Sequence, residues 1–236
     1  MSLLSSFKKR STLDAVIKQV ALARKSEGGR AEQLYKGAYQ GFASVVVDNP
    51  LLAEALYNWG FALLHEAAAQ AEEQKIDTLE EAISKFSFCL LVAPNYLAAA
   101  IDGGVALMDL ARVSPEDGKG HLYHMAKHFF EKAGAIQKGS AAYNLACIHA
   151  LNADEEACLA ALRLAKDSGT LPDEPVILQD ADMVAVLELP WFKEFLELAR
   201  NKPEPESEPE AKVEIDYVPG YKLRKTEEFD YYSNSK

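Results

Sequence analysis

The chain has 236 residues, of which 49% are hydrophobic and 26% charged, and it carries a formal net charge of −11. That apolar content is enough for the core of one or two domains, while the excess of acid excludes nucleic acid as the main partner, because phosphate binding needs a basic surface. Cys89, Cys147 and Cys158 form neither a CxxC pair nor a dense framework, so they read as small core residues in a reducing compartment, not as disulfides or zinc ligands.

The N-terminal stretch MSLLSSFKKRSTLDAVIKQVALARKSEGG lacks the uninterrupted apolar run of a signal peptide. Its basic residues and few acids give it some likeness to an organellar presequence, but STLDAVIKQVALA reads better as a capped helix. Next, KGAYQGFASVVVDNP places Ala38, Phe42 and Val45 before Pro50. A third helical segment, LLAEALYNWGFALLHEA, carries Trp59–Gly60 and Leu63; a fourth, EEAISKFSFCLLVAP, carries Ala82, Phe86, Cys89 and Pro94. YLAAAIDGGVALMDLA follows with Gly103–Gly104 and Leu107, then HMAKHFFEKAGAIQKG with Ala126, Phe130 and Ala133 before Gly139. AAYNLACIHAL and DEEACLAALRLAKDSG close the series, the latter with Ala157, Ala161 and Leu164 before Gly169.

One pattern recurs along this run. A small residue, a large one four positions on, and a small one three positions later lie on one helix face at about 100° per residue. A Pro or Gly then stops the helix, because Pro lacks the N–H and disfavours helical geometry in the residue before it. Each such helix follows another that carries Gly or Ala in mid-helix, a placement that costs propensity and is useful where a neighbouring helix approaches closely. Repetition of helix pairs at this period predicts a stacked array.

These residues resemble the tetratricopeptide repeat. Trp59, Gly60, Leu63, Ala82, Phe86, Cys89 and Pro94 fit one full repeat, and Gly104, Leu107, Ala126, Phe130 and Ala133 fit the next. The resemblance covers roughly residues 12–170 and implies an all-α, right-handed helical solenoid of antiparallel pairs. The chain departs from the ordinary repeat in AAAQAEEQKIDT and RVSPEDGKGH, each about ten residues longer than the motif expects. The outcome expected is longer helices or a projecting loop. Such lengthened turns, together with NWGFALL and EEAISKF, are similar to the plant-type receptor of the mitochondrial outer-membrane import machinery, whose C-terminal membrane anchor is not expected here.

In the C-terminal third, Asp180 and Asp182 precede an apolar run, and Pro190 starts a helix with Trp191, Phe192, Phe195 and Leu196 on its apolar side. This ending resembles the cap found after bacterial tetratricopeptide arrays, which would cover the apolar end face of the stack. The two aspartates read as helix-start residues that accept from free N–H groups. The array and cap are expected to occupy residues 1–200. From Asn201 the composition changes to NKPEPESEPEAK, a stiff, solvated linker. The segment beyond it carries Tyr217, Tyr221, Phe229, Tyr231 and Tyr232, and reads as a disordered tail able to dock on a partner or on its own array.

Candidate chemistry is sparse. His121, His124 and His128 share one face of their helix, opposite Ala126, Phe130 and Ala133, so they are candidate metal ligands that read instead as a solvated stripe. Cys147 and His149 point about 200° apart and cannot pair. With no phosphate loop, zinc spacing or nucleophile elbow, the sequence points to no catalytic residue and no cofactor. The concave face of the array is the better candidate. Repeat-position counting places Tyr57, Asn58, Phe61, Leu64 and His65 there, then Ile101, Asp102, Val105, Met108 and Asp109, then Tyr143, Asn144, Cys147 and Ala150.

The expectation is a non-catalytic, cytoplasmic scaffold, an adaptor or assembly factor. It would bind a protein or peptide segment in this groove, without nucleic acid and without membrane insertion. The alternatives are a structural subunit of a larger complex, an import-receptor-like protein that recognises amphipathic presequences, and a metal or cofactor handler using the histidine stripe.

Overall fold

The computed structural model describes residues 3–46 and 51–200, with side chains from residue 9 onward. The tail of residues 201–236, with its five aromatic residues, lies outside the described residues. Among the described residues the chain forms ten α-helices and one 3₁₀ turn, and no strand. Four helix pairs come first: α1 (Leu3–Ala23) with α2 (Gly28–Val46), α3 (Leu52–Ala68) with α4 (Glu72–Val92), α5 (Leu97–Val113) with α6 (Glu116–Ile136), and α7 (Ala142–Leu151) with α8 (Glu155–Asp167). Helix α9 (Glu174–Gln179), a 3₁₀ turn (Ala181–Met183) and α10 (Pro190–Arg200) complete the fold.

Each first helix of a pair, here called an A helix, packs on its own partner, and α3, α5 and α7 also pack on the second helix of the preceding pair. The A helices also touch each other, α1 with α3 and α3 with α5. That is the packing of an all-α solenoid in which the A helices form one continuous face.

The small–large–small faces are the seams. Ala38 and Phe42, Ala82, Phe86 and Cys89, and Ala126, Phe130 and Ala133 are all fully buried. Burying one Phe side chain contributes about 1.5–3 kcal/mol. In the fourth pair the seam lies one residue further on than expected. Cys158, Leu162 and Ala165 are the fully buried residues, not Ala157, Ala161 and Leu164. The spacing of four and three is kept, with Leu162 in the place of the aromatic.

The extra residues of the second and third pairs are absorbed as helix. Only 69–71 separate α3 from α4, and only 114–115 separate α5 from α6. No loop projects there. Helix α1 likewise begins well before the expected Ser11 start, since nothing from Leu3 to Ala23 is a Pro or Gly to interrupt it.

The cap covers the last pair. Phe192, Phe195 and Leu196 of α10 join Ile177, Met183 and Val186 in the same buried cluster as Leu162. Trp191 stays half-exposed and donates from Nε1 to Glu155 Oε2 at 2.7 Å.

Candidate functional site

On each A helix the residues facing away from the partner helix form a stripe. On α5 this stripe is Ala98, Ile101, Asp102, Val105 and Asp109, all half-buried, while Ala99, Ala100, Gly103, Gly104, Ala106 and Leu107 are buried against the neighbours. On α3 the matching stripe is Glu54, Tyr57, Asn58, Phe61 and His65. Ile17 and Ala21 of helix α1, and Arg24 just beyond its end, line a shallow recess together with Asn58, Phe61 and Phe42. Helical spacing therefore sets three adjacent A helices side by side with an apolar strip along their middle.

The strip has polar groups at its two sides. The Tyr57 hydroxyl donates to Asp102 Oδ2 at 3.1 Å, across from α3 to α5. Burial pushes the Asp102 carboxyl up to about 7, and the Tyr57 hydrogen bond offsets part of that rise. The Tyr57 ring lies 6.0 Å from Phe61 and 5.0 Å from Tyr96. His65 meets Phe61 edge-on at 4.3 Å, and the Arg24 guanidinium lies over the same ring, 5.3 Å from its centroid. Asn58 commits one amide N–H to its own helix, its Nδ2 donating to the Glu54 carbonyl at 2.8 Å, and keeps its second N–H and its Oδ1. Glu54 in turn pairs with Arg10 at 2.6 Å.

The fourth pair contributes differently. The 3₁₀ turn of the cap folds onto α7, so that Tyr143 and Cys147 are buried beneath it. The Tyr143 hydroxyl donates to Asp180 Oδ2 at 2.8 Å, and the Cys147 thiol reaches the same oxygen at 3.6 Å. Asp180 Oδ1 accepts from the Asp182 N–H at 3.0 Å, which is the helix-start role expected of it. Arg112 of α5 bonds both Asp109 and Asp182. Cys147, Asp180 and Asp182 bring their ligand-type atoms within 4.8 Å of one another, but the Arg112 guanidinium already supplies the positive charge beside them. Their role is to anchor the cap. Met108 is also buried, at 4% exposure. Of the candidate groove residues, then, Tyr57, Phe61, His65, Ile101, Asp102 and Val105 share the open face. Met108 and Tyr143 lie within the packed interior, and Asn144 is half-buried on α7.

His121, His124 and His128 are exposed on α6. His124 and His128 approach Nε2 to Nε2 at 3.0 Å, and His128 Nδ1 lies 3.3 Å from Glu131 Oε2. His149 faces Asp154 at 3.6 Å, whereas Cys147 reaches Asp180. Two features escaped sequence reasoning. Arg24 sits on the strip, but the first pair has no mid-helix Gly on its A helix from which to count positions. Phe88, Leu91 and Val92 are exposed at the end of α4, where spacings of three and four set them on one face.

A family model described as plant specific mitochondrial import receptor subunit TOM20 matches residues 32–160, more than half of the chain. No curated protein matches the chain. Among the described residues no helix is long and apolar enough to cross a membrane. The match overturns the cytoplasmic placement expected from composition, because that family is by description a subunit of a mitochondrial receptor. It also spans all of α3 through α6 and thus most of the open strip. On this match, carried by the helix pairs that build the groove, the chain belongs to the plant-specific family of mitochondrial import receptor TOM20 subunits.

Proposed function

We propose that this chain is a non-catalytic receptor that binds positively charged, amphipathic targeting segments as short helices in the groove of its A helices. The array would follow the tetratricopeptide arrangement. This reading replaces the general adaptor with the more specific presequence-binding role. Mitochondrial targeting segments are amphipathic, rich in Arg and poor in acid. An amphipathic helix lays its apolar face into an apolar groove and presents anchors at i, i+3, i+4 and i+7. The observation that carries the reading is the half-buried strip of Tyr57, Phe61, Ile101 and Val105 with the Asp102 carboxyl set into its edge. At about 8–10 Å between neighbouring helix axes, three A helices offer about 20–30 Å, the length of a ligand helix of about 13–20 residues. The non-catalytic part is supported by the thiols: all three are buried, and burial pushes Cys89 and Cys158 up to about 12, so none is a ready nucleophile.

The test is a titration of the full chain with a labelled amphipathic presequence peptide and with a scrambled peptide of equal charge but no apolar face. Saturable binding of the first, with amide shifts on α1, α3 and α5, is the expected result. Equal binding of both peptides, or of neither, overturns it.

A further inference from the structure

We propose, resting on the reading of the groove as a presequence site, that Asp102 and Arg24 give the bound segment its direction. A Lys or Arg of the segment seats on Asp102, a large apolar side chain one to two helical turns away lies on Phe61, and the segment's other positive charges are kept away from Arg24.

Three observations carry this. First, the acids of the open face differ in their partners. Glu54 pairs with Arg10, and Asp109 with Arg112, whereas among the described residues the titratable group facing Asp102 is the Tyr57 hydroxyl of α3. A carboxylate has about four lone-pair sites, so one donated hydroxyl leaves room for a cationic donor. A half-buried carboxylate is also a group that gains from such a partner, because burial disfavours its unpaired charge. Second, the groups form a connected path: Asp102 to Tyr57 at 3.1 Å, Tyr57 to Phe61 at 6.0 Å, Phe61 to Arg24 at 5.3 Å. Acid and base therefore lie on opposite sides of an aromatic pair, and each ring step is close to the pitch of a ligand helix, about 5.4 Å. Third, Arg24 follows the C-terminal end of α1, whereas Asp102 lies in the first half of α5. Acid and base thus stand towards opposite ends of the parallel A helices, and the path runs diagonally across the groove. Charges placed in this way fix register and orientation more than they raise affinity.

The experiment uses a 16-residue amphipathic helical peptide with a single Arg and a Leu four residues after it, and a second peptide with that Arg replaced by Gln. Both are titrated by fluorescence anisotropy into the full chain, its Asp102→Asn variant and its Arg24→Glu variant. Asp102→Asn keeps the size of the side chain and an oxygen for Tyr57, and thermal unfolding checks that it folds. The Gln peptide should bind the wild type roughly tenfold more weakly than the Arg peptide, the scale of one charge-assisted hydrogen bond, and the two should bind Asp102→Asn alike. A nitroxide at the peptide N-terminus should broaden amides at one end of the groove in the wild type and at both ends in Arg24→Glu. If the Arg-to-Gln loss is the same in wild type and Asp102→Asn, or the nitroxide broadens both ends of the wild type, the direction is not set by these residues and the presequence reading stands without it. If neither peptide binds the wild type, both readings fall.

Discussion

Gly104 of α5 sits against the Phe130 ring of α6 so closely that a methyl group on it would meet the ring at 2.4 Å. Phe130 is fully buried and has no open side to move into. Gly104→Ala is therefore expected to destabilise the chain by about 1–3 kcal/mol despite its better helix propensity. Gly134→Ala is the control. Nothing lies within 4 Å of its added methyl group, so it should be neutral or stabilising by up to about 1 kcal/mol. Urea denaturation of both variants measures the contrast, and equal effects would remove the close approach as the reason for the glycine.

The fourth pair gives a sharper test of register. Leu162 is fully buried between Cys158 and Ala165, whereas Leu164 is half-buried. Leu162→Ala should cost about 2–5 kcal/mol, the range for a buried Leu replaced by Ala, and Leu164→Ala clearly less. The reverse order would restore the seam on Ala157, Ala161 and Leu164.

How far the sequence carried depends on what each feature rests on. The seams of the first three pairs were legible because an aromatic residue stood between small ones at fixed spacing. In the fourth pair Ala is so frequent that two registers one residue apart both fit, and Leu162, the large residue that decides, does not stand out. The stripe of the groove followed from helical spacing together with position counting along the tetratricopeptide-like repeat. Its closure at α7 did not, because the Tyr143–Asp180 bond joins residues 37 apart, and no local pattern announces that the cap turns back over the A helix. The raised Asp102 carboxyl depends on burial between helices, which composition does not report.

That carboxyl makes stability depend on pH in a stated direction. In the unfolded chain Asp102 loses its proton near pH 4, whereas in the folded chain it holds the proton up to about pH 7. Between these values the folded state binds more protons than the unfolded state, so this residue's contribution to stability falls as pH rises from about 4 to about 7. Asp102→Asn does not titrate. Its stability relative to the wild type should rise across that window, measured as the difference in urea midpoint at pH 4.5 and at pH 7.5. A constant difference would show that Asp102 titrates normally.

The thiols predict a simple labelling result. Cys89, Cys147 and Cys158 are buried, and burial raises the Cys147 thiol well above its usual range, with Asp180 adding to the rise. In native chain at pH 8 an aromatic disulfide reagent should react slowly with all three, and in guanidinium chloride it should react with all three at once. A single fast native thiol would mean that one seam opens readily.

Phe61 and Met108 separate the groove from the core. Both were candidate groove residues by position, but Phe61 is half-buried beside Arg24 and His65, whereas Met108 is buried. Phe61→Ala removes an aromatic surface that a ligand would cover, so peptide affinity should fall at least about tenfold, the scale of an anchor residue, with a smaller loss of stability. Met108→Ala should do the opposite, costing about 2–5 kcal/mol of stability as a buried side chain while the folded fraction keeps its affinity. Anisotropy and urea denaturation on the same two variants give the four values needed. Stability loss alone in both would make Phe61 a packing residue and move the binding surface elsewhere on the array, with the exposed Phe88, Leu91 and Val92 face of α4 the next to be tested.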